Sequence, residues 1–194
     1  MKPIADLLFE ARMLKNIPRS GFQFLGAGRE SVAEHVHSTT FIAYVMAQLR
    51  PDVDALKLIC LCLVHDLPEA RTGDMNSVQK AYVRTDEPKA IADTARGLPF
   101  GPRLTALVAE YREARSPEAL LAHDADQIAL LLELKDLIDI GCEPPKAWLP
   151  HVLARLRTET GKAIGEAVLA THRDAWWWEA AETREKEAGS GRLK

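Results

Sequence analysis

The stretch that most constrains this chain runs from Leu56 to Asp74, LKLICLCLVHDLPEARTGD, where an apolar run delivers His65 and Asp66 side by side and then breaks at Pro68. Leu58, Ile59, Leu61, Leu63 and Val64, with Cys60 and Cys62, make the run apolar nearly all round, which predicts a helix buried on most of its faces. Its last residues are then inside the protein. A buried carboxylate without a partner is costly, so an Asp at that point neutralises, pairs or binds a metal. His65 and Asp66 are the first candidate ligands, and their partners have to come from elsewhere in the chain.

Ile4, Leu7, Leu8, Ala11 and Leu14 predict a first helix ending near Asn16, and with Asp6 and Glu10 among them the segment reads as amphipathic and not as a leader peptide. Pro18, Ser20, Gly21, Gly26 and Gly28 make residues 16–30 an irregular loop, long enough to count as a functional one, bracketed by Arg19 and Arg29. Ser31-Val32-Ala33-Glu34 matches a capping box and predicts the start of a second helix. On that helix Ser38, Ile42, Val45 and Leu49 share a face with His35, which therefore points inward, while His37 lies about 200° further round. After Pro68 a short segment and Gly73 predict a turn that presents Glu69 and Asp74 to the same end. Helices are further predicted over 87–96 and around Leu104–Tyr111, and Ser116-Pro117-Glu118 opens a long one to about Ile140. Its stripe, Ala119, His123, Asp126, Leu130, Leu134 and Leu137, buries Asp126 and leaves Asp124 off it, with Asp124 the rival ligand because a helix-phase argument tolerates a residue of error. Segments 148–156 and 162–180 complete the helices.

No window alternates as a half-buried strand does, so the expected fold is all-α: a compact bundle of about six to eight helices, one domain over residues 1–180, and a flexible tail over 181–194. With 194 residues and a net charge of −3, the chain has no field for coating nucleic acid. No apolar run approaches the roughly 20 residues of a membrane span. Cys60, Cys62 and Cys142 fit no zinc-knuckle spacing and read as reduced core residues of a cytoplasmic protein. Trp176, Trp177 and Trp178 fan across about 200° of a helix, more than one core can take.

His35, His65-Asp66 and Asp126, on three helices, supply two imidazoles and two carboxylates. That mixed set suits Zn, Mn, Co, Ni or Fe(II) and leaves positions for water and substrate. A His-Asp dipeptide alone is weak evidence, since His123-Asp124 is a second one.

The H…HD…D order resembles the HD-domain phosphohydrolase superfamily. LKNIPRSGF, ESVAEH, LVHDLPEARTGD and ADQIALLLE, spread over about residues 8–135, resemble its 5′-deoxynucleotidases and their HD-domain-containing eukaryotic relatives more closely. The resemblance implies an HD-domain helical bundle and one divalent metal ion (Co, Mn, Zn, Ni, Fe or Mg) on His35, His65, Asp66 and Asp126. It also implies catalytic roles for Glu69 and Asp74, a phosphate contact for Arg19, a small-molecule nucleotide as substrate, and a homodimer. Phe22 stands where many members carry Trp. The implied reaction is hydrolysis of a (deoxy)nucleoside 5′-monophosphate to nucleoside and phosphate. Two alternatives stay open: another HD-type phosphohydrolase acting on a phosphodiester, a deoxynucleoside triphosphate or an alarmone, and a non-catalytic metal-containing binding protein. The first lacks the extra histidines of two-metal diesterases, and the second has no use for Glu69, Asp74 and Arg19.

Overall fold

The computed structural model describes residues 1–178 and 180, and the expected tail over 181–194 lies outside them. Among the described residues the chain forms α1 (Lys2–Met13), α2 (Val32–Leu49), α3 (Ala55–Val64), α4 (Glu69–Thr72), α5 (Gln79–Tyr82), α6 (Glu87–Thr94), α7 (Gly101–Glu113), α8 (Pro117–Asp139), α9 (Leu149–Leu153) and α10 (Glu159–Ala170), with no named strand. α4, α5 and α9 are single turns, so the expected all-α bundle is what forms.

Local chemistry sets the helix starts. Ser31 Oγ accepts from the Glu34 N–H at 3.2 Å and the Glu34 carboxylate accepts from the Ser31 N–H at 2.6 Å, closing the capping box of α2. Asp54, Ser116 and Thr158 cap α3, α8 and α10 in the same sense, each worth about 1 kcal/mol.

α8 is the axis of the molecule: 23 residues, or about 35 Å of helix. Along its N-terminal half, Ala119, Ala122, Ala125 and Ala129 let α2 and α3 come close, and Ile42, Met46, Leu58 and Leu61 fill the space. Along its C-terminal half Leu131, Leu134 and Leu137 pack against Leu25 of the 16–30 loop and Val152 of α9. A third cluster, with Leu14, Val36, Leu67, Ile91 and Val108, joins α6 and α7 to the outer end of α2, with Ile4 and Leu7 of α1 packed on it. The 16–30 loop is pinned to the start of α2, because the Arg19 N–H donates to Glu30 O at 2.8 Å and the Val32 N–H to Ile17 O at 2.9 Å around a Pro18–Ser31 bridge.

Four expectations change. The buried stripe of α2 is Val32, His35, Thr39, Ile42 and Met46, while Val45 and Leu49 face solvent, one position off the expected face. α3 is apolar all round but not buried all round: Leu56 and Leu63 are 63% and 54% exposed, because α2 and α8 cover only one side of it. On α8, Asp124 is fully buried and not off the core, whereas Asp126 borders a cleft. The helix expected over 162–180 is interrupted: α10 ends at Ala170 and helix resumes only over 175–178. Thr171 turns extended, and Arg173 is tied back to α8 by its N–H on Asp139 at 2.9 Å and its guanidinium on Asp136 at 2.8 Å. Trp176, Trp177 and Trp178 are all exposed.

Candidate metal centre

His35 sits one turn into α2, where the capped start fixes its direction, and it is completely buried. His65 closes α3 and Asp66 follows in tight turns that lead through Leu67 and Pro68 into α4, so both side chains leave the helix end together. Asp126 comes from the middle of α8. The three elements converge. His35 Nε2 lies 3.0 Å from Asp126 Oδ1 and 3.6 Å from Asp66 Oδ2, and His65 Nε2 lies 3.1 Å from Asp66 Oδ2. Donor atoms of His35, His65 and Asp126 all fall within 4.8 Å of one another.

Whether this set fits a cation is decided by its unmet valences. His65 Nδ1 is 2.7 Å from the Cys62 carbonyl, to which it donates, and Nε2 is the ring nitrogen that faces the cluster. Yet His65 Nε2 and Asp66 Oδ2 are buried with no well-aligned hydrogen bond, to each other or to anything else described. Buried polar atoms are ordinarily satisfied. An imidazole nitrogen and a carboxylate oxygen 3.1 Å apart, both buried and unsatisfied, suit a shared cation.

The charge balance points the same way. Arg19 is the fixed cation amid the acids, with Nη1 3.6 Å from Asp66 Oδ2 and 3.8 Å from Asp74 Oδ1, and Nε 3.8 Å from Glu30 Oε2. Burial disfavours the charged forms of Asp66 and Asp126, but His65 beside the first and His35 beside the second hold both carboxyls below the ordinary range. Burial likewise opposes the His65 imidazolium, and Asp66 and Asp126 outweigh it, raising His65 to about 9. Glu69, buried and facing Asp66 and Asp74, is pushed up to about 9, and its Oε2 has no hydrogen-bond partner. Asp74 is held from the other side, its Oδ2 accepting from the Ser20 N–H at 2.5 Å and the Ser20 hydroxyl at 3.1 Å. Gly73 makes that placement possible: at φ 74°, ψ 162° it occupies a region essentially closed to other residues.

The structure thus brings Arg19, His65, Asp66, Glu69, Asp74 and Asp126 to one cleft of about 320 Å³, with the buried His35 against Asp126. Asp124 stays out of it. Its carboxylate accepts from the Arg157 N–H at 2.8 Å, the Thr158 N–H at 2.8 Å and the Thr158 hydroxyl at 2.6 Å, against Gly161, where any Cβ would collide with it.

Sequence reasoning missed three neighbours. Gln127 donates to Asp126 Oδ2 at 3.0 Å, and the Tyr111 hydroxyl lies 3.4 Å from the same atom. The Tyr111 ring is stacked on His123 at 4.2 Å and set against His65 at 4.9 Å, so His123 supports the site from behind and is not among the converging donors. Tyr111 read only as one apolar position on α7, and no local signal separates it from its neighbours. Glu30 is the third. It is buried beside Arg19, and burial together with Glu133 raises it to about 8.

Residues 11–167 match the model of the HD domain family. The chain is 28% identical over 137 residues to a 5′-deoxynucleotidase of Danio rerio, covering 68% of each chain. It is 27% identical over 132 residues to a 5′-deoxynucleotidase of Dictyostelium discoideum, covering 62% of this chain and 70% of that one. Among solved structures it is similar to a protein from Pyrococcus horikoshii OT3, with a TM-score of 0.73 and 27% identity over 86% of this chain and 98% of that one.

Proposed function

The chain belongs to the HD-domain family and is a hydrolase, and from that premise we propose that it is a metal-dependent phosphomonoesterase releasing phosphate from deoxynucleoside 5′-monophosphates. One observation carries the reading: two imidazoles and two carboxylates from three helices converge beside a half-buried arginine, in a cleft that also holds two acids. The two similar 5′-deoxynucleotidases support the choice of substrate.

In this reading His35, His65, Asp66 and Asp126 hold one divalent cation, which when bound supplies Lewis-acid activation of a water. Arg19 binds the phosphoryl oxygens. Its fork is half-buried, aligned by Asp66, Asp74 and Glu30, and ready to offset charge that develops in the transition state. Glu69, which lines the cleft beside Asp66 and Asp74, manages protons, as acid for the leaving O5′ or as base for the attacking water. Asp74, locked by Ser20, orients the attacking water or accepts from a sugar hydroxyl. The reading includes a homodimer.

A second reading, a longer phosphate chain as substrate, is favoured by Lys80 and Arg155, which line the same cleft without a described ion pair. One experiment separates the two. Chelator-stripped protein is supplied with Co, Mn, Zn, Ni or Mg singly and assayed for phosphate release from paired deoxyribo- and ribonucleoside 5′-monophosphates and from deoxynucleoside triphosphates. Metal-dependent release favouring the deoxy monophosphates is the expected result. Bound metal with no release from any monophosphate overturns the proposal.

A further inference from the structure

The cleft does not end at the metal cluster. Beyond Arg19 it opens into a second compartment of about 420 Å³, and the two share Gly21, Asn76, Leu130, Trp148 and Arg155 as common walls. The compartments differ in chemistry. The first is walled by charged groups, the acids of the metal cluster with Arg19, Lys80, Arg112 and Arg155; the second adds Phe24, Val78 and Val152 and keeps its polar groups, Ser77 and His151 with the shared Asn76 and Arg155, as a minority. With the proposed cation in place, the two suit a molecule with an anionic head for the cation and the basic side chains and a body that is apolar on its faces and polar at its edge. A nucleoside monophosphate has that form, and the two volumes together lie in the range of small-molecule sites.

The aromatic surface between the compartments belongs to Trp148. It stands where the 3₁₀ turn Pro144–Ala147 meets α9, half-buried, with the far edge of its indole ring over Gly21, two residues from Arg19. A Cβ on Gly21 would sit 3.5 Å from Trp148 Cη2, ordinary contact distance, so loop and ring are already packed against each other. Phe22 lines the first compartment and not the second. Its ring lies over Gly28, so closely that a Cβ there would come within 2.9 Å, and like Trp148 it packs on the Leu25–Leu134–Leu137 cluster. The aromatic side chain that walls both compartments is thus Trp148, at the start of α9.

We propose that the second compartment seats the substrate's nucleobase and that the base stacks on the indole of Trp148. The inference rests on the nucleotidase reading and extends it, from where the phosphate goes to what recognises the nucleoside. Stacking of a base on an aromatic side chain is worth about a 10- to 100-fold change in affinity and tolerates every base, because each has a π-face.

The test compares kcat/KM of the metal-loaded protein for deoxyadenosine 5′-monophosphate with that for 2-deoxyribose 5-phosphate, which lacks the base. Measured variants are Trp148→Leu, which keeps apolar bulk without a π-face, and Trp148→Phe, which keeps a smaller one. The preference for the nucleotide is expected to fall about tenfold or more in Trp148→Leu, chiefly through KM, and to be largely retained in Trp148→Phe. An unchanged preference overturns the inference, whether both activities fall together, as a packing defect would make them, or neither does. If wild type releases phosphate from neither substrate the nucleotidase reading fails, and calorimetric titration of deoxyadenosine then decides the subsite by itself. Weaker binding to Trp148→Leu than to wild type sustains it; equal binding, or none, overturns it.

Discussion

Asp124 and Asp126, two residues apart on α8, point to different sides of the helix and meet different chemistry. Asp124 accepts three hydrogen bonds from Arg157 and Thr158 and so ties α8 to the start of α10. Asp124→Asn leaves buried donors without their charged acceptor, and is expected to cost about 2–3 kcal/mol, or ~4–12 °C in Tm, without changing metal content. Asp126→Asn is expected to do the reverse: metal content by mass spectrometry falls, while Tm in chelator changes little. The opposite pattern would return Asp124 to the ligand set. Glu30 makes a pH prediction. Burial, with Glu133 adding to it and Arg19 only partly offsetting it, raises its folded-state pKa to about 8 from an unfolded value near 4.5. Between those values the folded chain holds the extra proton, so stability falls as pH rises from about 4.5 to about 8 and this contribution is level above that. Glu30→Gln removes that slope. Its Tm advantage, measured in chelator, is expected to grow across the same window, and a constant difference at pH 5 and pH 8 would sink the argument.

At the scale of elements, the capping box located the start of α2, while periodicity placed its buried stripe one position off. It misled on α3, where every side is apolar. The excess apolar surface is real and outward. Leu56 and Leu63 on α3, with Phe41, Tyr44 and Leu49 on α2, are exposed large hydrophobic side chains on two neighbouring helices. Phe41 and Tyr44 have their rings 6.1 Å apart, and exposed apolar surface, where it is contiguous, marks association sites. The homodimer proposed above uses it, and light scattering at working concentration is expected to give twice the chain mass; a monomer mass with wild-type activity would discard the dimer. The 16–30 loop offered no periodicity to read. Its order comes from outside it, through the bridge to Ser31, the Ser20 bonds to Asp74 and Leu25 in the α8 cluster.

For the whole molecule, the converging ligands make stability depend on the cation. α2, the end of α3 and α8 meet at carboxylates that only Arg19 and the imidazoles offset, and a divalent ion at 100 times its Kd is expected to add about 2.7 kcal/mol, or ~5–11 °C in Tm. A melt that neither chelator nor any added divalent metal moves would count against a cation joining those helices. No described helix is long and apolar enough to cross a membrane. The sequence by itself determined the helical class, several helix starts and the placing of His65 and Asp66 at a buried helix end, because capping, apolar periodicity and the cost of burying a carboxylate are local or nearly local physics. Only the tertiary structure decided that Asp126 and not Asp124 borders the cleft, that Tyr111 and Gln127 back it, and that Trp148 supplies its aromatic wall. Those outcomes depend on how helices distant in sequence are rotated against one another, and a shift of one residue in helical phase, about 100°, is below what a pattern of apolar residues resolves.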